Sequence, residues 1–205
     1  MSHNHELESK KYYDKIANRF DHSWDGFLSS FFKKYIGTNL SIENNAKVLD
    51  IGCANGTLLD QLNKKSTIQG TGLDISPEMV NIARKRHPEF DFIVGSAQHL
   101  PFPSQSFDVI ICSASFHHFP DPELFLREAK RALKENGRLV IAEIRIPFYD
   151  VRKIYNRYIE KKSTEGDVKV YGQKELLDLF RATNFEVVVH KNQLQIQYYE
   201  LKKLR

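Results

Sequence analysis

From residue 46 onward, short apolar runs alternate with stretches in which apolar residues recur every three or four positions. The pattern predicts strands at 46–51, 68–74, 90–94, 107–113 and 138–144, and helices at 56–65, 77–86, 122–133 and 173–183. Several helix starts are marked chemically. Ser76 is placed to cap, with Pro77 at the first helical position and Glu78 favouring the dipole; Asp121, Pro122 and Glu123 repeat the arrangement. Gly137 follows "EAKRALKEN" and is expected to stop that helix. Units of this length predict an α/β fold, a doubly wound, mainly parallel sheet with helices on both faces.

The two ends break the alternation. Before the first strand, Trp24, Phe27, Leu28, Phe31, Phe32, Tyr35 and Ile36 recur at helical spacing, preceded by Tyr13, Ile16, Ala17 and Phe20. They predict an N-terminal helical cap over 1–40, mostly core, with Tyr12, Tyr13, Phe20 and Trp24 as candidate lid residues. After the last helix, "FEVVVHKN" and "QLQIQYYEL" predict an antiparallel hairpin closing one sheet edge. A further helix at 150–162 is expected to bury Val151, Ile154, Tyr155, Tyr158 and Ile159, presenting Arg145 and Tyr149 to the end of the fifth strand; its basic face, Arg152, Lys153, Arg157 and Lys161, is expected to be solvated. The expected organisation is one domain, 1–205: cap 1–40, cofactor-binding core 45–145, substrate-cap insertion 146–171, and helix with closing hairpin 172–205.

Composition narrows the classes. With 205 residues, 41% hydrophobic and 27% charged, the chain is long enough to bury a real core. The longest apolar runs, such as "VIIC" at 109–112, are far too short to span a bilayer, and "MSHNHELESKK" has no secretory core, so a cytoplasmic protein is expected. A net charge of +4 is too mild to indicate a nucleic-acid partner. Cys53 and Cys112 fall at strand ends without metal-type spacing and read as buried free thiols; no metal site is expected among the histidines either.

The candidate chemistry begins at "VLDIGCANG", residues 48–56. A carboxylate inside a buried strand is costly without partners, and the loop after it carries almost no side-chain bulk. In an open α/β sheet, ligands bind at the carboxyl ends of strands where strand order reverses, so this loop is expected to meet a ligand with its amides and helix N-terminus. "GTGLD" places Asp74 at the end of the next strand, where a carboxylate can accept two ribose hydroxyls. A dinucleotide fingerprint requires G-x-G-x-x-G, but the corresponding positions are Gly52, Ala54 and Thr57. The pattern present is D-x-G-x-A-x-G.

With "GLDISPEMVNIARKR", "GSAQHLPFPSQSFDVIICSASFHHFPDP" and "LKENGRLVIAE" following in order, the chain resembles the class I S-adenosylmethionine-dependent methyltransferases, most closely their small-molecule type 11 group. The resemblance implies a Rossmann-like fold with S-adenosylmethionine as cofactor. It implies Gly52, Cys53 and Ala54 beside the methionine moiety, with Asp50 beneath the loop organising amides. It places Asp74 on the ribose, Ile75 on the adenine face, Ser96 and Ala97 at the adenine edge, and Ser113 near the sulfonium; Tyr13 and Trp24 would close the cofactor site. Two positions depart from the family pattern. Ala54 replaces a glycine, and Ser96 stands where an aspartate usually accepts the adenine amino group, which shifts weight to Ala97 and Gln98.

His117 and His118 follow the fourth strand on the catalytic edge, where they are candidates for a general base or for packing. A small-molecule acceptor is the leading expectation. An RNA or protein methyltransferase and a non-catalytic cofactor-binding module remain as alternatives; against the former, no separate RNA-binding domain and no "[DN]PP[YF]" motif is present.

Overall fold

The computed structural model describes residues 5–162 and 165–204. A single seven-stranded sheet carries β1 (Ala46–Ile51), β2 (Ile68–Asp74), β3 (Asp91–Val94), β4 (Phe107–Ser113), β5 (Leu133–Ile144), β6 (Phe185–Gln193) and β7 (Ile196–Lys203) in the order β3-β2-β1-β4-β5-β7-β6. Strands β1 to β5 pair in parallel, and β7 joins β5 and β6 antiparallel, forming the expected closing hairpin. Strand order reverses between β1 and β4, so the loops after these two strands open onto one crevice.

Interior parallel strands are buried on both faces, which is why β1 reads as an apolar run rather than an alternation. Val48, Val109, Ile111 and Val140 pack on α2 (Trp24–Asn39), α3 (Thr57–Asn63) and α4 (Pro77–Arg86). On the other face, Leu49, Ile51, Ile110 and Ile141 meet α5 (Pro122–Ala132) and, beyond α6 (Tyr149–Lys162), α7 (Gln173–Ala182). The caps form as expected: the Ser76 hydroxyl accepts from Met79 N (3.1 Å) and Asp121 Oδ1 from Leu124 N (2.9 Å).

Gly137 does not stop a helix. Helix α5 ends at Ala132, and Leu133 already pairs with Phe107, while Arg138 is the next residue in register, opposite Val109. The residues between bulge out of the ladder. A Cβ at Gly137 would lie 3.1 Å from the Lys134 and Phe107 carbonyl oxygens, so close backbone approach explains the glycine.

The N-terminal segment is helical: α1 (His5–Ile16), a 3-10 turn (Ala17–His22) and α2. Its aromatics are not mostly core. Phe32 and Ile36 are buried, but Trp24, Phe27 and Phe31 lie on the outer face of α2 and are exposed. Helix α6 departs further, because Val151, Ile154, Tyr155 and Tyr158 are exposed and only Ile159 of the expected stripe is buried. No helix among the described residues is long and apolar enough to cross a membrane.

Candidate active site

The loop after β1 is held by β2. Gly52 N and Cys53 N both donate to Leu73 O (2.8 and 3.1 Å), and Ala54 N donates to Asp74 Oδ2 (2.8 Å). These amides are therefore turned toward β2, which corrects the expectation that they present themselves to a ligand or are organised by Asp50. Gly52 has φ +69°, and a Cβ there would meet Ser115 Oγ at 2.2 Å; both facts require glycine. Ala54 tolerates φ 46° because the Asp74 carboxylate fixes its amide. The other Asp74 oxygen accepts from Ser76 N (2.9 Å), so this acid organises both loops.

A cavity opens at the carboxyl ends of β1, β2 and β4, beneath α1 and α2. Of the residues singled out from sequence, Asp50, Gly52, Ala54, Asp74, Ile75, Ala97, Ser113, Tyr13, His117 and His118 line it. Four do not. The Cys53 thiol is buried against Gly72 in the sheet, and Ser96 and Gln98 bond to each other (Gln98 N to Ser96 Oγ, 3.1 Å) beside the cavity. Trp24 is 69% exposed and outside the wall, although Leu28 and Phe32, one and two turns further along its own row of α2, line the cavity with Asp25, Ser29 and Lys33. Arg145 is also absent from the wall: its amide and guanidinium bond Gln195 O and Leu194 O in the β6–β7 turn, while Tyr149 is exposed.

Among the described residues, two buried oxygens that line the cavity have no hydrogen-bond partner, Asp50 Oδ1 and Ser113 Oγ. Burial pushes the Asp50 carboxyl up to about 7, with the Lys33 ammonium opposing and Asp74 adding to the rise. Lys33 is itself buried, 5.5 Å from the Phe20 ring centroid, and burial lowers its pKa.

The two histidines differ in charge. Glu143, fully buried near the end of β5, accepts from His117 N (3.2 Å) and lies 2.8 Å from His117 Nδ1. Burial opposes a charge on His117, but Glu143 outweighs it and its pKa is pushed up to about 9. His118 is pushed well below the ordinary value by burial and by charged His117. Its Nε2 lies 3.0 Å from Tyr13 Oη and its Nδ1 3.1 Å from Asp167 Oδ1. Ligand-capable atoms of His117, His118 and Asp167 gather within 4.8 Å. Together with Glu143 they form one histidine–carboxylate network, in which Glu143 engages His117 and Asp167 lies beside His118.

The "Methyltransferase domain" family model matches residues 49–141. Demethylmenaquinone methyltransferase of Thermotoga maritima is 37% identical over 156 residues, 72% of this chain and 67% of that protein. The chain belongs to the class I S-adenosylmethionine-dependent methyltransferases. Fatty-acid O-methyltransferase of Mycolicibacterium smegmatis is 32% identical to this methyltransferase over 69% of the chain and 48% of its own length. The match thus spans about half to two thirds of these relatives. A Haloferax volcanii methyltransferase solved in complex with the activator Trm112 shares the fold over 96% of this chain and 98% of its own, with TM-score 0.82 and 22% identity. The family's cofactor, S-adenosylmethionine, fits this methyltransferase: a charged and polar donor set with two unpartnered buried oxygens faces the cavity at the strand-order reversal.

Sequence reasoning missed Glu6, Asp25, Lys33, Glu143 and Asp167. Glu6 accepts from the Ser96 hydroxyl and Asp25 from Tyr12 Oη (2.7 Å). A signal existed for some of them. Glu143 in "LVIAEI" is an acid in an apolar strand, as Asp50 is in "VLDIG", and Asp25, Ser29 and Lys33 make a polar line at helical spacing on α2. Nothing in the local pattern marks Asp167.

Proposed function

We propose that this methyltransferase transfers a methyl group to a small lipophilic acceptor held between the N-terminal helices and the carboxyl ends of β1 and β4. The make-up of the cavity carries the reading: beside the polar groups at the ends of β1, β2 and β4 and on the inner side of α1 and α2, Phe20, Leu28, Phe32, Phe119 and Ile144 supply an apolar stretch of wall. The names of the relatives point the same way, since a menaquinone precursor and a fatty acid are both hydrophobic molecules.

In this reading Asp74 accepts the ribose hydroxyls with the lone pairs that Ala54 and Ser76 leave available, and Ile75 packs on the adenine. Ala97, backed by Ser96 and Gln98, borders the adenine edge; Gly52 and Ala54 border the methionine portion. Asp50 Oδ1 and Ser113 Oγ take the amino-acid end, and Lys33 is the nearby cation for a carboxylate. The bound cofactor supplies a methyl group already activated by its sulfonium. The chain's own work is orientation, worth roughly 7–11 kcal/mol, and exclusion of water by α1 and α2. Neutral His118, with Tyr13, is the group able to accept a proton where the acceptor must lose one, and charged His117 holds its neighbour and the acceptor in place.

The test is methyl transfer from labelled S-adenosylmethionine to a demethylated quinol, a long-chain fatty acid, bulk RNA and a protein extract, each offered in detergent. Label in a lipophilic molecule is expected. Label confined to RNA or protein overturns the reading, and tight S-adenosylhomocysteine binding without transfer to any acceptor class points to a binding module.

A further inference from the structure

Helix α6 leaves a complete apolar stripe uncovered. Val151, Ile154, Tyr155 and Tyr158, spaced i, i+3, i+4 and i+7, are 53%, 67%, 42% and 58% exposed. The helix is held from its other side, by Ile159, 4% exposed, by the Asn156 amide paired with Val170 N and O (2.9 and 3.0 Å), and by Arg152 on Glu175 (3.3 Å). The segment it grips donates from Val168 N to His117 O (2.8 Å), so α6 stands one hydrogen-bonded segment away from His117, the neighbour of the candidate proton acceptor His118. At 100° per residue the stripe covers one face of about a quarter turn, and exposed Arg157 and Lys161 follow along its border, with the acid Asp150 between them. An amphipathic helix with aromatic and aliphatic residues on one face and cations at the boundary has the make-up that lies in a lipid interface, the rings at headgroup depth and the cations against anionic headgroups.

We propose that α6 docks this methyltransferase on an anionic lipid surface, bringing the cavity beside a lipophilic acceptor dissolved there. The net charge decides between occupants: the border carries two cations, Arg157 and Lys161, against one acid, Asp150, so two copies meeting through this face would set net positive borders together, whereas an anionic surface complements them. The inference rests on the lipophilic-acceptor reading for its purpose, but docking itself needs no acceptor.

Sedimentation with vesicles that contain no acceptor tests docking alone, using the full chain and vesicles of phosphatidylcholine or of phosphatidylcholine mixed equally with phosphatidylglycerol. The wild type is expected to pellet with the anionic vesicles and not with the neutral ones. Two double variants, I154S/Y158S and R157E/K161E, should each lower the partition at least about tenfold. Because all four side chains are exposed, S-adenosylhomocysteine binding and the thermal transition should be unchanged, which separates lost docking from lost folding. A wild type that stays in the supernatant overturns the proposal, as do folded variants that pellet like the wild type. So does a wild-type dimer in light scattering that I154S/Y158S converts to monomer, since a second copy would then be what covers the stripe. Methyl transfer in detergent is measured separately, so failure there leaves the docking result standing.

Discussion

At the scale of the residue, the site is built from acids and imidazoles whose protonation the fold has moved. Asp50 carries a folded pKa of about 7 against an ordinary 3.8. A carboxyl raised in this way stabilises the fold fully below its ordinary value and loses that contribution as pH rises toward 7. Asp50→Asn keeps the neutral shape, so in the absence of ligand it should melt higher than the wild type at pH 8 and about equally at pH 4. Its affinity for S-adenosylhomocysteine should fall at least about tenfold, as for loss of a hydrogen bond to a charged group. Melting curves with the same pH dependence in both proteins would refute the assignment. His117 runs with the same sign: raised from 6.5 to about 9 by Glu143, its stabilisation is complete below 6.5 and fades as pH climbs through 9. In Glu143→Gln, NMR should find His117 titrating near or below 6.5 and a fold whose stability no longer changes between those values. A His117 that stays protonated at pH 8 in that variant would show that another group holds the charge.

At the scale of the element, the loops after β1 and β2 are one unit, because the Asp74 carboxylate accepts amides from both. Asp74→Ala should therefore weaken S-adenosylhomocysteine binding at least tenfold, from loss of charge-assisted bonds of about 1.5–3 kcal/mol each, and also lower the melting temperature. The strand end alone suggests that only binding would suffer; the structure adds the second effect, since Ala54 would hold φ 46° without its partner. Calorimetry and melting on the same preparation check both, and an unchanged melting temperature would mean the loop is held by the Gly52 and Cys53 bonds alone. Helices α4 and α5 were legible because their caps are local chemistry. The end of α5 was not, because a bulge opposite β4 depends on a partner strand far along the chain.

At the scale of the whole molecule, α1 straps the site shut through contacts to distant elements. Glu6 bonds Ser96, Tyr13 meets His118, Asp14 accepts from Ser76 Oγ (2.6 Å), and Asp21 accepts from Asn55 Nδ2 (2.6 Å) just after α1. Its own apolar anchor, Ile16, Ala17 and Phe20 on Met79, is a cluster apart from the two packed against the sheet. Removing residues 1–22 should accordingly abolish methyl transfer and weaken cofactor binding while a cooperative thermal transition survives at reduced temperature. A truncated chain that is unfolded by circular dichroism would place these residues in the core, and one that methylates at the full rate would deny the strap any part in the site.

The sequence by itself determined the order of strands and helices along the chain, the edge of the sheet where the cavity opens and ten of the residues that line it, because these follow from periodicity, caps and a loop poor in side-chain bulk within a few residues of one another. The tertiary structure alone decided where the loop amides point, which face of α2 looks inward, and that the α6 stripe stays uncovered. It also decided that Glu143 charges His117, that Lys33 shares the cavity with Asp50, and that Asp167 reaches His118. Each of these depends on groups brought together from far apart in the chain, and burial, hydrogen-bond partners and charge at such meetings are properties of the packed molecule that no local pattern encodes.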